Sequence, residues 1–84
     1  MILNLTRSFH FDLDQKEYHI DYKFTKEELE GSTESDICLI MEVAVGYSKR
    51  KTCKIKKPLS TLHLSNPDIE KMIEEETVRS FHKS

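Results

Sequence analysis

The chain has no tryptophan, and only two glycines, two prolines and two cysteines occur among its 84 residues. Each scarcity excludes something. Phosphate-cradling loops need several positions where the backbone itself approaches the ligand, and Gly31 and Gly46 alone cannot supply one. So little Gly and Pro beside 37% hydrophobic residues is not the composition of a disordered chain. No apolar run reaches the roughly 18 residues that a membrane-spanning helix requires, and 33% of the residues are charged; no membrane role is expected. Cys38 and Cys53 are too few for a disulfide framework, so free thiols are expected. Met1 to Leu13 has neither a cationic start nor an unbroken apolar block. No export leader is expected, and the expected location is cytoplasmic.

Eighty-four residues make one domain, 1–84, with a single thin core. Its clearest pattern comes first. Leu3, Leu5, Phe9, Phe11 and Leu13 share one parity, interrupted by Arg7, while Asn4, Thr6, Ser8, His10 and Asp12 fill the other. This alternation predicts a strand with one dry and one wet face. Tyr18, Ile20, Tyr22 and Phe24 repeat it after the short polar connection Asp14 to Glu17, so the two runs predict an antiparallel hairpin. Thr25 with Glu28 matches a helix capping box and predicts a short turn of helix, with Leu29 folding back and Gly31 as its left-handed exit. Ile37 to Tyr47 is apolar on both parities and rich in β-branched residues, which favours a long central strand over a buried helix.

Lys51 to Lys57 returns as a fourth strand, and Pro58 places it at an edge. Leu59, Leu62 and Leu64 are expected to continue as an extended segment. Ser65, Pro67 and Asp68 then open a C-terminal helix, in which Ile69, Met72, Ile73, Thr77 and Phe81 recur at helical spacing. The expected fold is α+β: an antiparallel sheet of about four strands, β-β-short α-β-β-α, packed by one helix. The alternation over Tyr18 to Leu64 is similar to the sheet layer of SecB-type export chaperones. That resemblance rests on no diagnostic residue and implies nothing about function.

Chemistry finds little to work with. Structural zinc needs four ligands, usually in close pairs, whereas His10, His19, His63 and His82 stand apart and the cysteines are distant in sequence. His10 and His19 face each other across the first hairpin, more simply as surface neighbours than as ligands. Cys53 lies among lysines, which favour a thiolate, but no base or oxyanion loop accompanies it. No catalytic residue, metal ligand or cofactor is expected, and an enzyme is not expected.

Two surfaces remain. Lys49, Arg50, Lys51, Lys54, Lys56 and Lys57 crowd nine residues that contain no acid. Such a hairpin suits nucleic acid, yet the net charge is −2. The competing reading is an edge guarded by lysines, or cations paired with the acids at 27–36 and 68–76. The other surface is the second face of the third strand, Cys38, Ile40, Glu42 and Ala44, because one helix covers one face of a sheet only. The expected cover is a companion molecule or the short segment around Leu29. The sequence therefore predicts a small non-enzymatic protein-binding regulator, inhibitor or adaptor, with a protein partner and a homodimer expected. An accessory protein of a virus or mobile element fits that description. Nucleic-acid binding through Lys49 to Lys57 is the alternative.

Overall fold

The expected hairpin forms with a one-to-one register. In the computed structural model, which describes residues 3–27, 30–31 and 33–81, β1 (Arg7–Leu13) lies antiparallel to β2 (Lys16–Thr25). Phe9 is opposite Ile20, His10 opposite His19 and Phe11 opposite Tyr18. The connection is tighter than the sequence suggested. Asp14 and Gln15 alone turn the chain, both with positive φ, 52° and 66°. Paired left-handed residues make the turn whose twist matches that of the flanking strands. At the other end Asn4 takes φ 65° and breaks the extended run. The strand expected from Leu3 therefore begins at Arg7; Leu3 packs against the core and Leu5 is 44% exposed.

β3 (Asp36–Val45) and β4 (Lys51–Pro58) complete an antiparallel sheet in the order β1-β2-β3-β4. The sheet and one C-terminal helix, α1 (Asn66–Phe81), give the α+β fold that the sequence predicted. The Ser65 hydroxyl accepts from the Asp68 N–H, and the Ser65 carbonyl accepts the first helical bond from Ile69. Ile69, Ile73 and Thr77 recur at helical spacing, are fully buried and face the sheet. The Thr77 hydroxyl stays satisfied by donating to the Ile73 carbonyl, 2.8 Å away. Among the described residues no helix is long and apolar enough to cross a membrane.

The core comprises Tyr18, Ile20, Tyr22 and Phe24 of β2, Ile37, Leu39, Met41 and Val43 of β3, and Ile69 and Ile73 of α1. Phe9 and Phe11 lean on it, with Phe11 stacked on Tyr18 at 4.9 Å. One member is imperfect. Tyr22 is 2% exposed and its hydroxyl has no hydrogen-bond partner among the described residues. Burial raises its pKa, and the Glu70 carboxylate adds to that rise. An unsatisfied buried hydroxyl costs about 1–3 kcal/mol. Tyr22→Phe should therefore raise the midpoint of urea unfolding, by about 1 kcal/mol in stability; a lowered midpoint would show that the hydroxyl is satisfied.

Two connections differ from expectation. The short helix expected at Thr25 to Leu29 falls partly outside the described residues. What is described there is a turn in which the Thr25 hydroxyl accepts from the Glu27 N–H, 3.1 Å. Gly31 keeps the expected positive φ, 80°. Leu59–His63 is not extended but a 3-10 turn. Pro58 presets its entry, the Leu59 N–H bonds the Ser35 carbonyl at 2.7 Å, and the turn buries Thr61 while Leu62 packs on the core.

Candidate interaction surfaces

α1 covers one face of the sheet. Across the other face runs a polar belt with a member on each strand or its flank. The Ser8 hydroxyl of β1 donates to Asp21 of β2, and the Arg50 guanidinium, just before β4, donates to Asp21 and to Glu42 of β3. The Ser8 hydroxyl holds the Asp21 carboxyl below its usual range; burial pushes the other way, and Arg50 adds to the lowering. A carboxylate depressed in the folded state stabilises above its unfolded pKa of about 4, and that contribution disappears as pH falls through the lower folded value. Asp21→Asn should then lose less stability than the parent between about pH 6 and pH 2, by denaturant titration at each pH. Equal losses would contradict the belt.

The belt lies on the strand-three face for which the sequence left a companion or the segment around Leu29 as the cover. Cys38 is 1% exposed, Ile40 and Ala44 are half-buried, and Glu42 is exposed within the Arg50 belt. Glu27 and Gly31, after β2, are tied to β4 beside Cys38's neighbours. Lys54 bonds Glu27 at 2.6 Å, and Lys56 donates to the Gly31 carbonyl at 3.2 Å. Burial, and then the charge of Glu27, push the Cys38 thiol up, the wrong direction for a nucleophile. Cys53 lies opposite Met41 and faces the core, whereas Cys38 lies opposite Lys56 on the belt face. The two free thiols are thus on opposite sides of the sheet.

The basic strand is largely engaged with its own chain. Arg50, Lys54 and Lys56 bond acceptors on the belt face, and Lys57 crosses to the helix side, bonding Glu76 at 2.8 Å. Lys49 is exposed in the turn and Lys51 opens β4. The structure brings the six cations together along one hairpin arm but divides them between two faces and a turn.

The two sheet edges are unlike. Two backbone bonds fix which way each strand points: Gly46 N–H bonds the Glu17 carbonyl, and Asn4 N–H bonds the Phe24 carbonyl. Odd residues of β2 thus turn toward β3 and even ones toward β1. Their partners Arg7, Phe9, Phe11 and Leu13 turn toward β2. Ser8, His10 and Asp12 aim their N–H and C=O groups outward, at the open side of β1. The same alternation carried across β3 makes Thr52, Lys54, Lys56 and Pro58 the outward residues of β4. Proline and lysines are what keep a strand from being extended. β1 has neither, and carries half-buried Phe9, Phe11 and Leu13 on its helix side.

Between the β1–β2 turn and the β3–β4 turn lies a wide, shallow groove flanked by Tyr47, whose ring is fully exposed. His10 and His19 stand together as expected, ring centroids 5.9 Å apart, and Glu17 lies 2.6 Å from His19. Among the described residues no three His, Cys, Asp or Glu side chains are grouped to hold a metal ion. The sequence signal for the β1 edge was the Phe9, Phe11, Leu13 alternation itself, which shows a strand but not its place in the sheet. Comparisons with protein families, curated proteins and solved structures find no match to this chain.

Proposed function

We propose that the chain is a non-enzymatic binding protein, of the regulator, inhibitor or adaptor kind, that acts by lending the outer edge of β1 to a strand of a protein partner. One observation carries this reading: β4 is guarded by lysines and Pro58, whereas β1 presents outward backbone groups at Ser8, His10 and Asp12 beside a half-exposed aromatic row. Strand addition of this kind takes affinity from main-chain bonds and specificity from alternate side chains. The thiols give no support to catalysis, because one is sealed on the belt face and the other faces the core.

Nucleic-acid binding is the second reading, and what favours it is the exposed tip around Lys49. The two part cleanly by experiment. A protein captured from source-cell extract should be kept by the Lys49→Glu, Arg50→Glu, Lys51→Glu triple variant and lost by His10→Pro, which blocks only an outward N–H. A salt-sensitive gel shift abolished by the triple variant, with capture indifferent to His10→Pro, would overturn the strand-addition reading.

A further inference from the structure

We infer that the occupant of the β1 edge is the β1 edge of a second copy of this chain, joined antiparallel about a twofold axis at His10, so that two four-stranded sheets become one continuous sheet. This rests on the strand-addition reading above and names its partner.

The β1 edge is complementary to itself. A twofold contact sets a surface against itself, so the edge must match its own reverse. β1 runs from Arg7 to Leu13, and His10 is its midpoint. A twofold axis there overlaps the whole strand, whereas an axis at Phe9 or Phe11 leaves an end unpaired. In the central register Ser8 lies opposite Asp12 of the second copy, His10 opposite His10, and Phe9 opposite Phe11. The outward-pointing residues then meet only outward-pointing residues. Each such opposed pair exchanges two backbone bonds, about six across the junction.

The side chains agree with the backbone. Phe9 and Phe11 fall in the closer, non-hydrogen-bonded positions, where cross-strand aromatic pairs interact best. Within one chain these rings already stack, at 6.2 Å from each other, and Phe11 stacks on Tyr18. The second copy would extend that row and cover its exposed flank. On the belt face Asp12 lies opposite uncharged Ser8, and no like charges oppose one another. The β4 edge fails the same test. With the axis at Lys54, Lys51 would face Lys57 of the other copy and Lys54 its own counterpart, and Pro58 offers no N–H.

The test uses the full chain. Sedimentation equilibrium over a range of concentrations should show the parent mass rise from 9.9 kDa toward that of two chains. His10→Pro should hold the monomer mass at every concentration, with an unchanged circular dichroism spectrum. Ile40→Asp, on the belt face, should associate like the parent. His10→Cys in a Cys53→Ser background should cross-link through its own axis under mild oxidation, and this readout needs no proline. A parent that stays monomeric, and a His10→Cys chain that does not cross-link, would overturn the second copy. If extract capture still depended on His10→Pro, a strand of another protein would be the occupant and the reading of the edge would stand. Indifference of both assays to His10→Pro would remove both.

Discussion

His19→Pro should unfold much of the domain, while His10→Pro, directly across the hairpin on the same face, should leave it folded. Both side chains are exposed and their rings adjoin, so packing cannot distinguish them. The backbone does. The His19 N–H turns toward Ala44 in the interior of the sheet, while the His10 N–H turns away from β2 to the open edge. Proline at 19 deletes a ladder bond, orphans the carbonyl that received it and wedges a ring between β2 and β3. We expect about 2–4 kcal/mol, a large part of the stability of so small a domain. Proline at 10 deletes a donor that points away from β2 and that no described strand receives. Thermal denaturation of the pair decides it, and equal losses would show that the hairpin register is wrong.

Leu39→Ala should be among the most damaging truncations of the strand residues. Leu39 is fully buried, lies between Phe24 and Ile55 on neighbouring strands, and belongs to the cluster sealed by Ile69 and Ile73. With packed neighbours on every side, the space it leaves cannot close, and the cost should be about 2–5 kcal/mol. In a domain of this size that lowers the melting temperature by roughly 10–25 °C. Ile40→Ala, one residue on, removes a half-buried side chain from the belt face and should cost well under half as much. If the two variants melted together, β3 would not divide a dry face from a polar one.

Local patterns announced most of this architecture. Alternation in Phe9 to Leu13 and in Tyr18 to Phe24 needs only neighbouring residues, because the period of two is a property of each strand alone. Ser65, Pro67 and Asp68 announced the helix for the same reason: a cap acts within one turn. The β-branched content of Ile37 to Val45 separated strand from helix. Less was legible where the cause lies far along the chain. The left-handed Asn4 shortens β1, and nothing in a run of alternating residues signals it. The 3-10 turn at Leu59–His63 is held by Ser35, twenty-four positions from Leu59.

The candidate surface shows the same limit more sharply. Two apolar parities in strand three imply a face in want of a cover, either a companion or the segment around Leu29, and do not decide between them. In the structure Lys54 bonds Glu27, Lys56 bonds the Gly31 carbonyl, and Arg50 spans Glu42 and Asp21. Acids and bases that looked like two opposed patches thus act largely within one chain. Which strand lies at an edge is a matter of sheet order, invisible in any single strand. Pro58 marked β4 as an edge, but nothing in Arg7 to Leu13 marks β1 as the other.

Hydrogen exchange read residue by residue along β1 is the most direct measurement of the account. In dilute solution the amides of Phe9, Phe11 and Leu13 should be protected by β2, while those of Ser8, His10 and Asp12 exchange freely. Raising the protein concentration should slow those three amides and leave their neighbours unchanged. Free exchange at Ser8, His10 and Asp12 at every concentration would contradict a second copy docked on that edge.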